Sequence, residues 1–300
     1  MKIGFALPQF HKQAFGISRT AHFAREVEQA GAASLWVGDR NLAAVSPKVG
    51  YGGQGDTIPA ELNPSADPFV LLGAAASVTE RVQLGMHVLI APLYPPVQLA
   101  RSLTTLDLVS EGRLLPGFGI GWSPEEYEAA GLDFHKRGAR MEELLDVLDT
   151  IWTTDPAEYK GTHLTVPLHH APLKPHQSPR PPIYLGAMSE RALRRVALRG
   201  DGWLPLCVVP SYVDIDGLVA QRALIDSQAQ QAGRDPAAID TVLRVNIDAG
   251  TPASAVVDTV KSVHERTGIS HFMIDSLYTA DTVEDSIELA AEILALANEG

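Results

Sequence analysis

The sequence predicts a (β/α)8 barrel, and three observations carry that prediction. Short apolar runs alternate with longer amphipathic segments from one end of the chain to the other, in eight successive pairs. The runs are apolar on consecutive positions, as parallel strands buried on both faces should be. The chain has 300 residues, a common length for a closed barrel of eight such pairs. An open doubly wound sheet is the rival fold, but it rarely has eight repeats without a break.

The apolar runs define the predicted strands, and the spacing between them defines the predicted helices. The strands are expected at residues 3–7, 34–38, 82–90, 115–120, 183–185, 202–206, 241–247 and 271–275. The helices are expected to begin at Ser18 and end before Gly31, to occupy 96–109, 140–152, 189–198 and 211–232, to open at Thr251 and Pro252, and to occupy 281–296. No interior segment has the composition of a domain linker, so residues 1–300 are predicted to form one domain.

Two long connections interrupt this pattern, at about residues 40–64 and 155–182. Loops longer than about 12–15 residues are uncommon unless they are functional. Both connections are expected to begin where a barrel strand ends or where the following helix begins. The first follows a predicted strand, so it should lie over the face that carries the chemistry in such barrels, either as a lid or as a passive excursion.

Composition and charge exclude several classes of function. The net charge of −12 argues against a nucleic-acid partner, because phosphates would be repelled. The longest apolar stretch, residues 69–78, is too short to cross a membrane, and the first ten residues do not resemble a signal peptide. The single cysteine, Cys207, is consistent with a reducing compartment and is expected to be buried and inert. We therefore expect a cytoplasmic protein with a small-molecule substrate.

Two glycine-containing strand ends are candidates for binding a cofactor. Gly117, Gly119 and Gly121 alternate, so one side of the fourth strand end should have no side chains and could receive a flat ring. Tight packing against a neighbour is the alternative. At residues 184–191 a strand runs directly into a helix that Ser189 should cap, and the exposed amides could bind a phosphate. Ordinary capping explains the same residues.

Other polar residues lie at strand ends or in loops. Asp39 and Arg40 end the second strand, and a charged pair there suggests a functional site with polar groups at the barrel mouth. His87 lies within the third strand, where a hydrogen-bonded core histidine is the alternative to a catalyst. Histidines 163, 169, 170 and 176 match no common ligand spacing, so no metal site is expected.

Several segments in the same order resemble the luciferase-like monooxygenase superfamily, and within it the group that depends on coenzyme F420, a deazaflavin. The segments are residues 3–8, 35–39, 95–113, 114–122, 137–143, 182–186 and 200–203. The resemblance covers most of residues 1–205, whereas the remainder fits the barrel pattern only. It implies a luciferase-like (β/α)8 TIM barrel, usually a homodimer, that holds the cofactor in its mouth and has a cis peptide bond in the third strand.

The resemblance also implies which residues hold the deazaflavin. Asp39 should lie beside the polar part of the ring, with Met86, His87 and Val88 supporting it. The cofactor's linker should pass Gly119, Ile120, Gly121, Trp122 and Glu125, and its phosphate should meet Gly186, Ala187, Met188 and Ser189. His87 and Arg40 are the candidate catalytic residues.

The sequence departs from the pattern of this family's dehydrogenases, and this departure narrows the range of expected reactions. Alcohol and sugar dehydrogenases of this family often have a histidine base where Arg40 stands, and an acidic partner where Trp122 stands. Arginine stays protonated and cannot act as that base. The sequence therefore favours an F420-dependent oxidoreductase that transfers a hydride to or from a small organic substrate. An FMN-dependent monooxygenase and a non-catalytic deazaflavin-binding protein stay open as alternatives.

Overall fold

The computed structural model describes residues 1–53 and 55–299. In that part of the chain the strands are β1 (Lys2–Ala6), β2 (Ser34–Val37), β3 (Gln83–Met86), β4 (Leu89–Ile90), β5 (Leu114–Leu115), β6 (Gly117–Gly119), β7 (Ala157–Lys160), β8 (Thr165–His169), β9 (Tyr184–Gly186), β10 (Gly202–Leu204), β11 (Leu206–Val209), β12 (Asp240–Ile247) and β13 (His271–Asp275). The helices are α1 (Thr20–Gln29), α2 (Pro68–Ala76), α3 (Pro96–Val109), α4 (Pro124–Ala129), α5 (Arg137–Thr153), α6 (Glu190–Arg199), α7 (Ile215–Gln231), α8 (Ala253–Thr267) and α9 (Val283–Asn298).

The main sheet is parallel and returns to its starting point. Its strands follow the order β6, β9, β10, β12, β13, β1, β2 and β3, and β3 then pairs with β5 while β4 pairs with β6. Since β3 and β4 are two segments of one barrel strand, and β5 and β6 of the next, these last pairs close the ring. The predicted (β/α)8 barrel is confirmed.

Two layers of apolar side chains hold the barrel together. Inside it, side chains from six strands pack into one cluster, which consists of Trp36, Leu115, Tyr184, Leu204, Val242 and Met273. A larger cluster fills the space between the sheet and the surrounding helices. The interior of the barrel is therefore a packed core and not a pore. None of the described helices is long and apolar enough to cross a bilayer.

Some helices begin at the capping residue that the sequence predicts, and others begin elsewhere. Ser189 caps α6 by accepting a hydrogen bond from the backbone N–H of Ala192, as predicted. The prediction that Ser18 caps the first helix is wrong, because a 3-10 helix at His11–Arg19 precedes α1. The last helix begins two residues later than predicted, behind a capping box formed by Thr282 and Asp285.

The long connection at 155–182 differs from its prediction. It leaves from the carboxyl end of α5, not from a strand, and it includes the antiparallel hairpin of β7 and β8. Its last part lies at the amino-terminal face of the barrel, where Gln177 binds Asp107 near the end of α3 and Arg180 binds Asp201 just before β10. The predicted position at a strand end is therefore wrong for this segment.

The connection at 40–64 lies where the sequence places it. It follows β2, so it starts at the carboxyl ends of the strands. The carboxylate of Glu126 accepts a hydrogen bond from the backbone N–H of Asn41, and that of Glu125 accepts one from the N–H of Lys48. These bonds join the connection to α4, which follows the fourth barrel strand. The loop therefore crosses one side of the barrel mouth.

Candidate functional site

Asp39 is the first polar residue after β2 at the mouth. Its Oδ2 accepts hydrogen bonds from the backbone N–H of Ile90, at 2.8 Å, and from the hydroxyl of Tyr94, at 2.9 Å. Burial raises the pKa of Asp39 to about 6, although both hydrogen bonds favour the charged form. No hydrogen bond to Oδ1 is made by the described residues, so this oxygen can face a ligand. Tyr94, which sequence reasoning missed, fixes the carboxylate's orientation.

The third barrel strand is interrupted at a cis peptide bond between His87 and Val88, which confirms the expectation from the resemblance. Val88 is the only partly exposed residue from Leu84 to Ile90, all of which the structure describes. A Cβ on Gly119 would lie 2.5 Å from Cγ2 of Val88, and one on Gly186 would lie 3.1 Å from Cγ1. The side chain of Val88 therefore fills the space beside both glycines and forms the centre of the mouth's floor.

This packing corrects the interpretation of the glycines as a bare slot. Beyond Gly119, a Cβ on Gly117 would lie 1.8 Å from the carbonyl oxygen of Met86, and one on Gly121 would lie 2.7 Å from Cγ2 of Ile90. The missing side chains thus admit the neighbouring strand, which is the tight-packing alternative. A flat ring would lie on Val88, above the glycines, and not against their backbone.

His87 lies just below this floor. Its ring is buried, and Nε2 is 3.2 Å from the carbonyl oxygen of Pro205. Burial, together with the nearby charge of Arg244, lowers the pKa of His87 to about 3. The ring is therefore neutral at physiological pH and donates from Nε2 to Pro205. This geometry favours the hydrogen-bonded core histidine over the catalyst.

Arg244 is the main functional candidate that sequence reasoning missed. It points inward from β12 and donates from Nη1 to the carbonyl oxygen of His87, at 2.9 Å. Its Nε donates to Asn246, and its Nη2 forms an ion pair with the buried Asp275. A charged residue inside the apolar run of residues 242–247 was the available signal, because buried charges are rare unless they are paired.

Arg40 is buried at the rim, with 9% of its surface exposed. Its guanidinium lies over the ring of Trp122, 4.9 Å from the centroid. The indole of Trp122 in turn meets the edge of Tyr51, with centroids 5.7 Å apart. Nε and Nη2 of Arg40 are buried and have no hydrogen-bond partner among the described residues. The loop at 40–64 therefore contributes both an aromatic ring and an unsatisfied cation to the rim.

The acidic residues of α4 are engaged elsewhere. Glu125 accepts hydrogen bonds from the N–H of Lys48 and from the hydroxyl of Ser123, and these partners lower its pKa although burial opposes them. Glu126 is buried, which raises its pKa, and it accepts a hydrogen bond from the N–H of Asn41. Glu125 thus holds the loop, and a direct contact between it and a cofactor stays a prediction.

The remaining predicted residues are spread over two adjacent strands. Because β6 pairs with β9, the segment at 119–121 lies beside the segment at 186–189. The hydroxyl of Tyr127 donates to the carbonyl oxygen of Ile120, and the indole N–H of Trp203 donates to that of Ala187. Met188 is exposed at the start of α6. Met86 differs, because its side chain is fully buried in the core below the floor.

The mouth thus gathers most of the predicted residues in one place. Asp39, Val88 and the two glycine segments line its floor and walls, His87 lies below the floor, and Arg40 with Trp122 forms one rim. In the described part of the chain, no three His, Cys, Asp or Glu side chains are placed to hold a metal ion. Cys207 is buried, and burial raises the pKa of its thiol to about 12, so it stays protonated.

Known structures share this fold over nearly the whole chain. The monooxygenase RslO1 from Streptomyces bottropensis superimposes with a TM-score of 0.80 at 19% identity, over 98% of this chain and 99% of that one. The F420-dependent tetrahydromethanopterin reductase from Methanopyrus kandleri gives 0.73 at 17% identity, over 97% of each chain. An FMN complex of 3,6-diketocamphane monooxygenase from Pseudomonas putida gives a TM-score of 0.75 at 14% identity, over 100% of this chain and 98% of that one. These likenesses establish the fold.

Sequence comparison establishes the family. The phthiodiolone/phenolphthiodiolone dimycocerosates ketoreductase of Mycobacterium tuberculosis is 30% identical over 239 residues, or 78% of this chain. The chain spans only 58–61% of the length of such curated relatives. The sequence profile of the luciferase-like monooxygenase family matches residues 1–294. The chain therefore belongs to the luciferase-like monooxygenase family, whose members are oxidoreductases.

Proposed function

We propose that this protein is an F420-dependent oxidoreductase that acts on a small organic substrate. A bound deazaflavin would supply or accept the hydride, and the chain would bind, orient and shield it. The observation that carries the proposal is the pairing of a partly exposed apolar floor, Val88, with a free carboxylate oxygen of Asp39 beside it. This combination suits a flat ring that is apolar on its face and polar at one edge.

Asp39 would bind the polar edge of the ring. Its Oδ2 is occupied by Ile90 and Tyr94, so only Oδ1 is available. Because burial raises its pKa to about 6, the carboxyl exists in both forms near neutral pH. It can therefore donate a hydrogen bond to a ring carbonyl or accept one from a ring N–H. A carboxylate with a normal pKa could only accept.

The phosphate would bind at the start of α6. The carboxyl end of β9 leads directly into this helix, and the first amides of a helix attract anions. Ser189 already caps the helix, and Glu190 follows it with an exposed carboxylate. A phosphate there would need to share the amides with Ser189, so Gly186 and Ala187 are the residues we expect to approach it most closely.

Neither candidate catalytic residue is suited to accept a proton. Arg40 cannot act as a base, and the buried ring of His87 already donates to Pro205. In this proposal His87 instead positions the floor, while Arg40 faces the substrate side of the rim. The family relationship supports an oxidoreductase, and the choice of F420 rests on the resemblance in residues 1–205.

Paired titrations test the cofactor. F420 and FMN are each titrated into the purified protein, and binding is followed by the cofactor's fluorescence. We expect micromolar affinity for F420, and we expect Asp39→Asn to weaken it at least about tenfold, the effect of one lost charge-assisted hydrogen bond. The matched control is Asp133→Asn, an exposed aspartate beside α5. Binding of neither cofactor would overturn the proposal.

An FMN-dependent monooxygenase is the second candidate, because an FMN monooxygenase shares the fold over nearly the whole chain. Preference for FMN, together with oxygen consumption when the flavin is reduced by a separate reductase, would establish it. Tight F420 binding without turnover of any activated-alkene, carbonyl or nitro substrate would indicate the non-catalytic alternative. A homodimer and a cytoplasmic location stay predictions, which sedimentation and cell fractionation would test.

A further inference from the structure

We propose that the substrate of this enzyme carries a carboxylate, and that Arg40 binds it. The inference rests on the proposed function and names the substrate class of the same site. Its starting point is the guanidinium of Arg40, whose buried Nε and Nη2 have no hydrogen-bond partner among the described residues. Buried donors without partners are unfavourable, and the penalty is larger when the group is charged.

The two arginines of the mouth differ in one respect that supports this assignment. Arg244 is fully engaged, since Asp275, Asn246 and the carbonyl oxygen of His87 accept its hydrogen bonds. Arg40 forms no ion pair within 4.0 Å and no hydrogen bond with any described residue, although it is buried to 91%. Arg244 therefore stabilises the fold through its hydrogen bonds, whereas the donors of Arg40 are available to a ligand.

Neighbouring carboxylates do not satisfy Arg40. Burial lowers the pKa of Arg40, and Glu126, Tyr51 and Glu125 partly oppose this effect. Each glutamate uses one carboxylate oxygen for the backbone of the loop, Glu126 at Asn41 and Glu125 at Lys48. Burial also raises the pKa of Glu126, although its hydrogen bond from Asn41 and the charge of Arg40 oppose this effect.

The aromatic neighbours orient the guanidinium. Its Cζ lies over the ring of Trp122, and Tyr51 packs against that indole in a T-shaped contact. An arginine held over an aromatic ring loses little further freedom when it binds, and its two adjacent N–H groups match the two oxygens of a carboxylate. Trp122 and Tyr51 also offer apolar surface beside the charge. A flat or aromatic carboxylate fits this combination better than a small inorganic ion.

The anion is assigned to the substrate and not to the cofactor on grounds of position. Arg40 follows β2, whereas the expected phosphate site follows β9. The third and fourth barrel strands, β3 with β4 and β5 with β6, lie between them. Arg40 is instead next to Asp39, at the expected ring end. An anion held there would lie at the expected ring end of the site and not at its expected phosphate end.

Calorimetric titration with benzoate and with benzamide tests the proposal, because these probes share shape and differ in charge. The protein is saturated with the cofactor that it binds. We expect benzoate to bind at least about tenfold more tightly than benzamide, and Arg40→Gln to abolish that preference. Arg40→Lys should keep part of it, and Arg101→Gln, an exposed arginine on α3, should keep all of it. Equal binding of both probes to the wild type would overturn the proposal.

Two further measurements separate the other outcomes. Arg40→Gln should bind the cofactor within about twofold of the wild type. A loss of cofactor affinity with an unchanged benzoate preference would assign the anion to the cofactor and overturn the proposal. Arg40→Gln should also melt no lower than the wild type, because it removes an unsatisfied buried charge. A lower melting temperature with retained preference would show a purely structural role and would equally overturn it.

Failure of the proposed function is distinguishable from failure of this inference. If neither F420 nor FMN binds, the function proposed above is wrong. The same benzoate and benzamide titrations on the protein as purified then still decide whether Arg40 recognises a carboxylate. Trp122 supplies an optical signal for that experiment, because the other three tryptophans, Trp36, Trp152 and Trp203, are at most 2% exposed.

Discussion

Arg244 reaches across the barrel and donates from Nη1 to the carbonyl oxygen of His87, 2.9 Å away. Arg244 lies in β12 and His87 directly follows β3, and these two strands lie four positions apart in the ring and thus face each other. The backbone N–H of Arg244 and the Nε2 of His87 also share one acceptor, the carbonyl oxygen of Pro205. This network fixes the peptide that precedes Val88, and so fixes the floor on which the ring is proposed to lie.

Removing Arg244 should therefore destabilise the protein strongly. Arg244→Met leaves the buried carboxylate of Asp275 without its partner, and breaking such a pair from one side costs about 3–5 kcal/mol. Urea denaturation measures the loss. The double variant Arg244→Met/Asp275→Leu should be less destabilised than Arg244→Met alone, because no uncompensated charge remains. A loss below about 1 kcal/mol in the single variant would argue against this account.

Asp39 should make stability depend on pH. Its folded pKa of about 6 lies above the ordinary value of 3.8, so the folded state holds the proton more tightly than the unfolded chain. The associated stability is fully present below pH 3.8 and is lost as pH rises through about 6. At about 1.4 kcal/mol per pH unit, the full loss is about 3 kcal/mol.

Asp39→Asn should remove this dependence while keeping an acceptor for Ile90 and Tyr94. The variant should be more stable than the wild type at pH 8, and the difference should shrink as pH falls from 7 to 4. Urea denaturation at a series of pH values measures both curves. Parallel curves for the two proteins over this range would contradict the raised pKa.

The contact between Val88 and Gly119 predicts a compensating pair of substitutions. Gly119→Ala places a Cβ 2.5 Å from Cγ2 of Val88, and such overpacking costs about 1–3 kcal/mol. Val88→Ala removes the obstructing methyl group. The double variant should therefore be more stable than Gly119→Ala alone, a coupling that a double-mutant cycle measures. Strictly additive free energies would show that the two side chains do not meet.

Gln9 should hold both ends of the loop at 40–64. Its amide donates to the carbonyl oxygens of Gly38 and Ala66, and its Oε1 accepts from the N–H of Gly38. Gln9→Met leaves these buried backbone groups without partners. We expect faster proteolysis within the loop and weaker cofactor binding, with Gln98→Met, at an exposed position, as the control. Unchanged cleavage rates would rule out this role.

Some elements and residues could be predicted from the sequence, and others could not. The strand at 271–275 and the helix at 96–109 were predicted with the bounds that the structure has, because apolar periodicity and a leading proline mark them locally. The hairpin of β7 and β8 was missed, since its alternation is short and its flanks are rich in proline and histidine. Tyr94, Gln9 and Asp275 were missed because each acts on partners 29 to 57 residues away in the chain.

Taken alone, the sequence determined the barrel, its family and the elements that end at the mouth, because periodicity and ordered motifs are properties of neighbouring residues. The tertiary structure alone decided what fills the spaces between those elements. Glycines that suggested an open slot instead admit Val88 and Ile90 from the adjacent strand. It also decided which arginine is neutralised and which is not, since Arg244 meets its partners across the barrel whereas Arg40 meets an aromatic face. Burial and pairing depend on which distant residues meet, and only the closed sheet brings them together.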